Sequence, residues 1–336
     1  MAEARKPRIV TLCVSGRDKK SRVDEKEHLA LLEAMVEELE KNPQWAPVDA
    51  VVLPGGFLFE DNTVAEAIMK GAPEALQHSV LEKVAQLAKR LDKWSPGVQI
   101  ITGVDTSDYQ AHGQKMGGHQ LSFAFNRQGV SGYARKTFLV GEDYDGKLAP
   151  PMMTREKDFD DEHRIISLAN GSKALLCVCY DIFGIGDAAR NKPQRLSHTV
   201  KIEDREGRLH TGRDIRPVLR RSFDAFRALL EKEQPDTAIT VIHRFRHSGA
   251  ESFYQRHGIA TASAGLGGGF SIAAAHIENL PDNPEKMCLM SSGVGQAHLE
   301  MAGHREPHCG SAKEYRFLPS GRGDKKAAGL MRLYTP

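Results

Sequence analysis

The chain has 336 residues, of which 40% are hydrophobic and 27% charged, with a formal net charge of +2. This balance is ordinary for a folded globular protein, and it is too near neutral to point to nucleic acid or an anionic membrane as the main partner. No apolar run approaches the roughly 20 residues that span a bilayer, which excludes a helical membrane protein. The five cysteines are odd in number and irregularly spaced, so a reducing cytoplasm is expected rather than a disulfide framework. The start, MAEARKPRIVTLCVSG, lacks the apolar stretch and small-residue cleavage site of a signal peptide.

Strand and helix signals alternate at first. IVTLCVS (9–15) is a β-branched run that predicts a strand. SRVDEKEHLALLEAMVEELEKN follows, with Leu29, Leu32, Val36 and Leu39 on one helical face. VDAVVLP predicts a second buried strand, EALQHSVLEKVAQLAKRLDKW a helix stopped by Ser-Pro, and VQIITGV a third strand. This β-α-β-α-β order predicts layered sheet and helix. QLSFAFN and VSGYARKTFLV, joined by the turn RQG, then read as a hairpin, and HRIISLA with KALLCVC as another strand pair, so the sheets are mixed. The stretch 184–235 is polar and Arg-rich, ends in a helix around RSFDAFRALLEKE, and reads as an insertion within a single domain covering 1–336. TAITVIH, GIATASAGLGGGFSIAAAHI, KMCLMSS, EYRFLP and GLMRLY supply the later strand candidates.

Three segments carry chemistry. In KALLCVCYDIFG (173–184) an apolar strand delivers Cys179 at its end, where a thiol is accessible on a fixed backbone and nearby positive charge would raise its thiolate fraction. The plain alternative is a small, inert core residue. In GYARKTFLVGED (132–143) Lys136 follows a strand and is placed to hold an oxyanion or a thiolate; a solvated surface lysine is the alternative. In AVVLPGGFLFE (50–60) a strand ends in a Pro-Gly-Gly turn before Glu60.

Taken together, VDAVVLPGGFL, GYARKTFL and KALLCVCYDIFG resemble the carbon–nitrogen hydrolase, or nitrilase, superfamily. The likeness covers about residues 7–183 and resumes at TAITVIHRF and ESFYQRHGIATASA. It implies an α/β fold, a four-layer α-β-β-α sandwich with mixed sheets, paired into a homodimer or higher homo-oligomer. It also implies hydrolysis of a small amide or nitrile through a thioester or thioimidate, without cofactor or metal. Cys179 would be the nucleophile and Lys136 the cation that stabilises the tetrahedral intermediate. Tyr180, Asp181 and Glu142, or in the last place Glu156, would support the site. The family's acid directly follows the strand-end Pro, and this chain has Gly55 there. Losing a positioned acid–base costs about 10² to 10⁴ in rate. Glu60 is the first candidate to replace it and Glu142 the second; the alternative is a catalytically impaired protein that binds a small molecule or a protein partner. His243 and His247, in VIHRFRHSG, lie on the strand that the family sets beside the cysteine, with a structural role as the other reading.

Other signals are weaker. LPGGF is also similar to the glycine turn of class I glutamine amidotransferases, but their Gly-x-Cys-x-Gly elbow is missing. Cys177 and Cys179, with His304, His308 and Cys309 in HREPHC, bring Cys and His together without the usual spacing of structural zinc. AGLGGGF lacks the dinucleotide-binding spacing and reads as a flexible turn. The arginines of 184–235 are interleaved with acids, which predicts a solvated face; an anion or protein docking surface is the sharper reading.

Overall fold

The structure, a computed structural model, describes residues 6–15, 25–139, 150–185, 201–245, 258, 260–267, 269–277, 294–296, 315–319 and 328–334. Strand β1 (Ile9–Ser15) leads to α1 (Glu25–Lys41), β2 (Ala50–Val52), β3 (Leu58–Glu60), α2 (Asn62–Met69), α3 (Pro73–Gln77), α4 (Leu81–Leu91) and β4 (Gln99–Thr106). Two hairpins follow: β5 (Tyr109–Ala111) with β6 (Gln114–Met116), and β7 (Gln120–Asn126) with β8 (Gly129–Arg135). Next come β9 (Met153–Arg155), β10 (Ile165–Ser167), β11 (Lys173–Val178), β12 (Lys201–Glu203) and β13 (Leu209–His210). Helix α5 (Ile215–Glu233), β14 (Thr237–Phe245), α6 (Ala260–Gly265), β15 (Phe270–Ile277), β16 (Val294–Gln296), β17 (Tyr315–Pro319) and β18 (Ala328–Tyr334) complete the described chain. No described helix is long and apolar enough to cross a membrane.

Among the described residues, hydrogen bonds link 13 strands into one mixed ladder, whose central path runs β10-β11-β14-β15-β1-β2-β4-β7-β8. Strand β1 is where this ladder divides. Its residues Ile9–Thr11 pair with β2, whereas Val14 and Ser15 pair with β15. The two halves therefore diverge and fold face to face, with β11 against β7 and β8, and β14 against β4.

Side-chain alternation along each strand then sorts the apolar residues into three cores. The inner core lies between the sheets and contains Ala50, Val52, Ile101, Ala124 and Ala134 from one half, with Ala174, Leu176, Val178, Ile239, Val241 and Ala274 from the other. Many of these are alanines, which lets two sheets approach closely. The opposite faces of the first half (Val10, Leu12, Val51, Ile100, Phe123) pack under α1 and α4. Those of the second half (Leu175, Cys177, Ala238, Ala273) pack under α5 and α6. Helix, sheet, sheet, helix is the four-layer α-β-β-α sandwich that the motifs imply.

Three local outcomes differ from the sequence reading. The single helix expected over EALQHSVLEKVAQLAKRLDKW is broken into α3 and α4, because the Val80 N–H turns to Glu60 Oε2 at 3.1 Å and Ser79 Oγ accepts the Leu81 N–H at 2.8 Å. The strand expected to start at Gly258 is helical over Ala260–Gly265 before β15 begins. Within the Arg-rich stretch, α5 buries Ile215, Val218, Leu219, Phe226 and Leu230, so from Ile215 onward that stretch is itself the fourth layer. The hairpin β7–β8 and the pair β10–β11 form as expected, and KMCLMSS lies outside the described residues.

Candidate active site

Strand parity decides which side chains meet. On β4, Ile101 faces the inner core, so Gly103 and Asp105 share that side. On β14, Ile239 and Val241 face inward, and His243 continues the series. On β8, Ala134 faces inward, and Lys136 follows two residues later. On β11 the inward residues are Ala174, Leu176 and Val178, and Cys179 follows directly. All four elements run the same way, so these groups collect where the two sheets end, as ligand sites of α/β folds do.

Cys179 has φ of +49°, a left-handed conformation that a non-glycine residue holds only when its surroundings impose it. Asp181 is what imposes it. The fully buried Asp181 Oδ1 accepts the Thr137 N–H at 2.9 Å, the Phe138 N–H at 2.9 Å and the Thr137 hydroxyl at 3.1 Å, while Oδ2 accepts the Val178 N–H at 3.2 Å. One carboxylate thus ties the turn carrying Cys179 to the segment carrying Lys136. It also ends β8 at Arg135, earlier than the sequence run VSGYARKTFLV suggests, because Thr137 and Phe138 give their N–H groups to Asp181. Burial pushes the Asp181 carboxyl up; the buried Arg164 guanidinium and these N–H groups oppose it. Lys136 is buried, and its Nζ donates to Gln120 Oε1 at 2.8 Å. Cys179 is half-buried, whereas Cys177 points the other way, under α5, where burial pushes its thiol up.

The Pro-Gly-Gly turn sits opposite. The Gly55 N–H donates to Ile242 O at 3.0 Å, a bond from one sheet to the other. A Cβ on Gly55 would stand 2.7 Å from both the backbone nitrogen and Nδ1 of His243. A Cβ on Gly56, which has φ of +60°, would stand 2.8 Å from Asp105 Oδ2. Gly103 has no room either, since its Cβ would meet Gly55 Cα at 2.3 Å. The glycines therefore form a bed for an imidazole and a carboxylate. His243 Nε2 and Asp105 Oδ1 are 2.5 Å apart, with the Asp105 side chain 40% exposed and the His243 side chain 19% exposed. The pairing of β14 with β15 shifts between Ile242 and Phe245, a bulge that sets the His243 backbone off the regular ladder. With Nε2 taken by Asp105, Nδ1 is left buried without a hydrogen-bond partner among the described residues, and the ring and Cys179 interact electrostatically. Burial would lower the His243 pKa, but Asp105 and Cys179 outweigh it and raise it to about 9.

The other sequence candidates are placed as follows. Glu60, at the end of β3, is 9% exposed; its Oε1 accepts the Asp61 N–H at 2.9 Å and its Oε2 the Val80 N–H at 3.1 Å. Its oxygens thus serve the backbone at the starts of α2 and α4, one each. Glu156 is buried and paired with Arg221 at 3.0 Å. Tyr180 packs beside Phe183 with the rings tilted by 32° and their centroids 4.4 Å apart. Glu142, His247 and the HREPHC segment lie outside the described residues. Asp105 was missed by the sequence reading. Its signal was its parity with Ile101 and Gly103, and Gly103 marks where another backbone comes close.

No family model and no curated protein matches the chain. Many solved structures are similar to it, among them the following two. One is a carbon-nitrogen hydrolase from Helicobacter pylori G27, at 12% identity over 97% of this chain and 89% of that one, with a TM-score of 0.45. The other is a glutamine-dependent NAD(+) synthetase from Cytophaga hutchinsonii, at 10% identity over 87% of this chain, with a TM-score of 0.42. The chain spans 39% of the length of the synthetase. With identities this low and TM-scores below 0.5, the description of the fold rests on the three cores and that of the site on its own geometry.

Proposed function

We propose that the chain is a hydrolase of a non-peptide carbon–nitrogen bond in a small amide or nitrile, with Cys179 as nucleophile. The observation that supports this reading best is the Cys179 turn: a half-buried thiol at a strand end, in a left-handed conformation, fastened by Asp181 to the Lys136 segment. Strain at such a position is retained where it aims a group. For an amide, the thiolate sulfur attacks the carbonyl carbon and a C–S bond forms. The oxygen takes the negative charge, and Lys136 is the cation assigned to it. The C–N bond then breaks as a proton reaches the nitrogen, and an amine or ammonia leaves. Water attacks the thioester carbon, the C–S bond breaks, and a carboxylic acid departs with the thiolate restored. A nitrile enters the same route through a thioimidate.

The test is intact-mass spectrometry of the full chain incubated with simple amides and nitriles. Acyl adducts that map to Cys179, decay with time and vanish in Cys179→Ala are the expected result. A chain that acquires no adduct from any of them overturns the reading, and leaves a binder without turnover.

A further inference from the structure

We propose that His243, oriented by Asp105, is the proton carrier of this site and holds Cys179 as a thiolate, standing where the chain lacks an acid at position 55. The reaction it serves is the hydrolysis proposed above; the geometry is independent of that reading.

Three observations converge. First, the space is exchanged rather than vacant: a side chain starting at position 55 would begin 2.7 Å from the imidazole Nδ1 and the His243 backbone nitrogen. A glycine at 55 is the condition for the ring to lie there. Second, the ring is ordered from behind, since Nε2 meets Asp105 Oδ1 at 2.5 Å, while Nδ1 is buried without a hydrogen-bond partner among the described residues; the pairing of Val178 with Val241 on adjacent parallel strands sets Cys179 and His243 at the same end of the sheet. Third, Asp105 from β4 and Cys179 from the turn after β11 both favour imidazolium and outweigh the burial that opposes it, with Lys136, after β8, the cation at the same strand ends. Nucleophile, base and orienting carboxylate are thus present in sequence, each from a different strand end.

The proton balance closes. At neutral pH the proton of the Cys179 thiol resides on His243, giving thiolate and imidazolium. After attack, His243 passes that proton to the departing nitrogen and becomes neutral. It then takes a proton from the water that attacks the thioester, and is imidazolium again when the thiolate leaves. Asp105 stays ionised and acts as a positioning residue. Glu60 need not take part.

The test uses iodoacetamide, which requires no knowledge of the substrate. Alkylation of Cys179 is followed between pH 5 and 10 by peptide mapping, in the wild type, His243→Ala and Asp105→Asn, with far-UV circular dichroism to check folding. The wild-type rate is expected to be near its plateau by neutral pH. In His243→Ala it should follow an ordinary thiol, with a midpoint near about 8.5, and be roughly tenfold to a hundredfold slower at pH 6. Asp105→Asn, which preserves shape, should move the midpoint in the same direction by less, and keeps the test open if His243→Ala does not fold. An ordinary thiol profile in the wild type, or profiles unchanged in both variants, overturns the proposal. The two readings fail separately. Amide adducts at Cys179 with unchanged alkylation profiles leave the hydrolase and remove the role of His243. A His243-dependent profile without any amide or nitrile adduct leaves the pair and removes the hydrolase.

Discussion

At the scale of single residues, the proposed chemistry rests on five positions: Gly55, Asp105, Lys136, Cys179 and His243. His243 also links stability to pH. Its pKa is raised from the ordinary 6.5 to about 9 in the folded chain, and in the proposed pair the proton it holds is the one Cys179 gives up. The gain and the loss of a proton cancel near neutral pH, where stability is level, and the contribution of the pair is lost as pH rises through about 9 and the ring deprotonates. Urea unfolding of wild type and His243→Gln should therefore differ by a few kcal/mol, on the order of 1.4 per pKa unit, near pH 7.5 and by much less at pH 9.5. Position 55 gives a second expectation. Gly55→Ala forces a methyl group against the Ile242–His243 backbone and should cost about 1–3 kcal/mol, read as a lower Tm. Gly55→Glu should lose stability as well, and should not confer turnover while His243 occupies the space. Asp181→Ala orphans three buried N–H groups, those of Val178, Thr137 and Phe138. At about 1–3 kcal/mol for each such group, it should be the most destabilising of these changes in urea, with Asp181→Asn milder. Cys179 and Lys136 were legible in sequence because each follows an apolar strand directly. Of the Asp105–His243 couple, His243 was named from its strand but Asp105 was not, because the two are 138 residues apart and their pairing leaves no mark in either segment.

The elements show the same division between what local pattern encodes and what tertiary contacts override. Periodicity located α1, the β7–β8 hairpin and the β10–β11 pair, since each has an apolar face or a tight turn of its own. It misplaced the ends that long-range bonds determine. The break between α3 and α4 depends on a carboxylate from β3, and no helical periodicity reports a partner 20 residues away. Glu60 at that break separates two roles. Glu60→Gln weakens a charged acceptor at the start of α4 and should cost about 1 kcal/mol by thermal unfolding, while the alkylation profile of Cys179 stays as in the wild type. An acid that served Cys179 would instead alter that profile. Helix α5 was read as part of an insertion because its arginines dominate the composition. Its apolar stripe, Ile215, Val218, Leu219, Phe226 and Leu230, carries the opposite message and covers a sheet. Phe226→Ala should cost about 3–5 kcal/mol in urea unfolding.

For the whole molecule, the decisive feature is the seam between two sheets that share β1. Its alanine-rich filling fixes their separation, so Ala274→Leu should push the halves apart and cost about 1–3 kcal/mol, while also slowing alkylation of Cys179 as His243 is drawn from it. The layered α/β class was readable from the alternation of strands and helices, whereas the place of β1 at the division was not, because pairing partners leave no trace in a strand's own composition. The seam also restricts how such a chain can change over generations. A carboxylate side chain at 55 and an imidazole at 243 claim the same volume. Whichever substitution came first on a route between the two arrangements would produce an intermediate that is either overcrowded or left with no shuttle for hydrogen ions. On the proposed mechanism, any single step between the two arrangements therefore passes through a form worse than either.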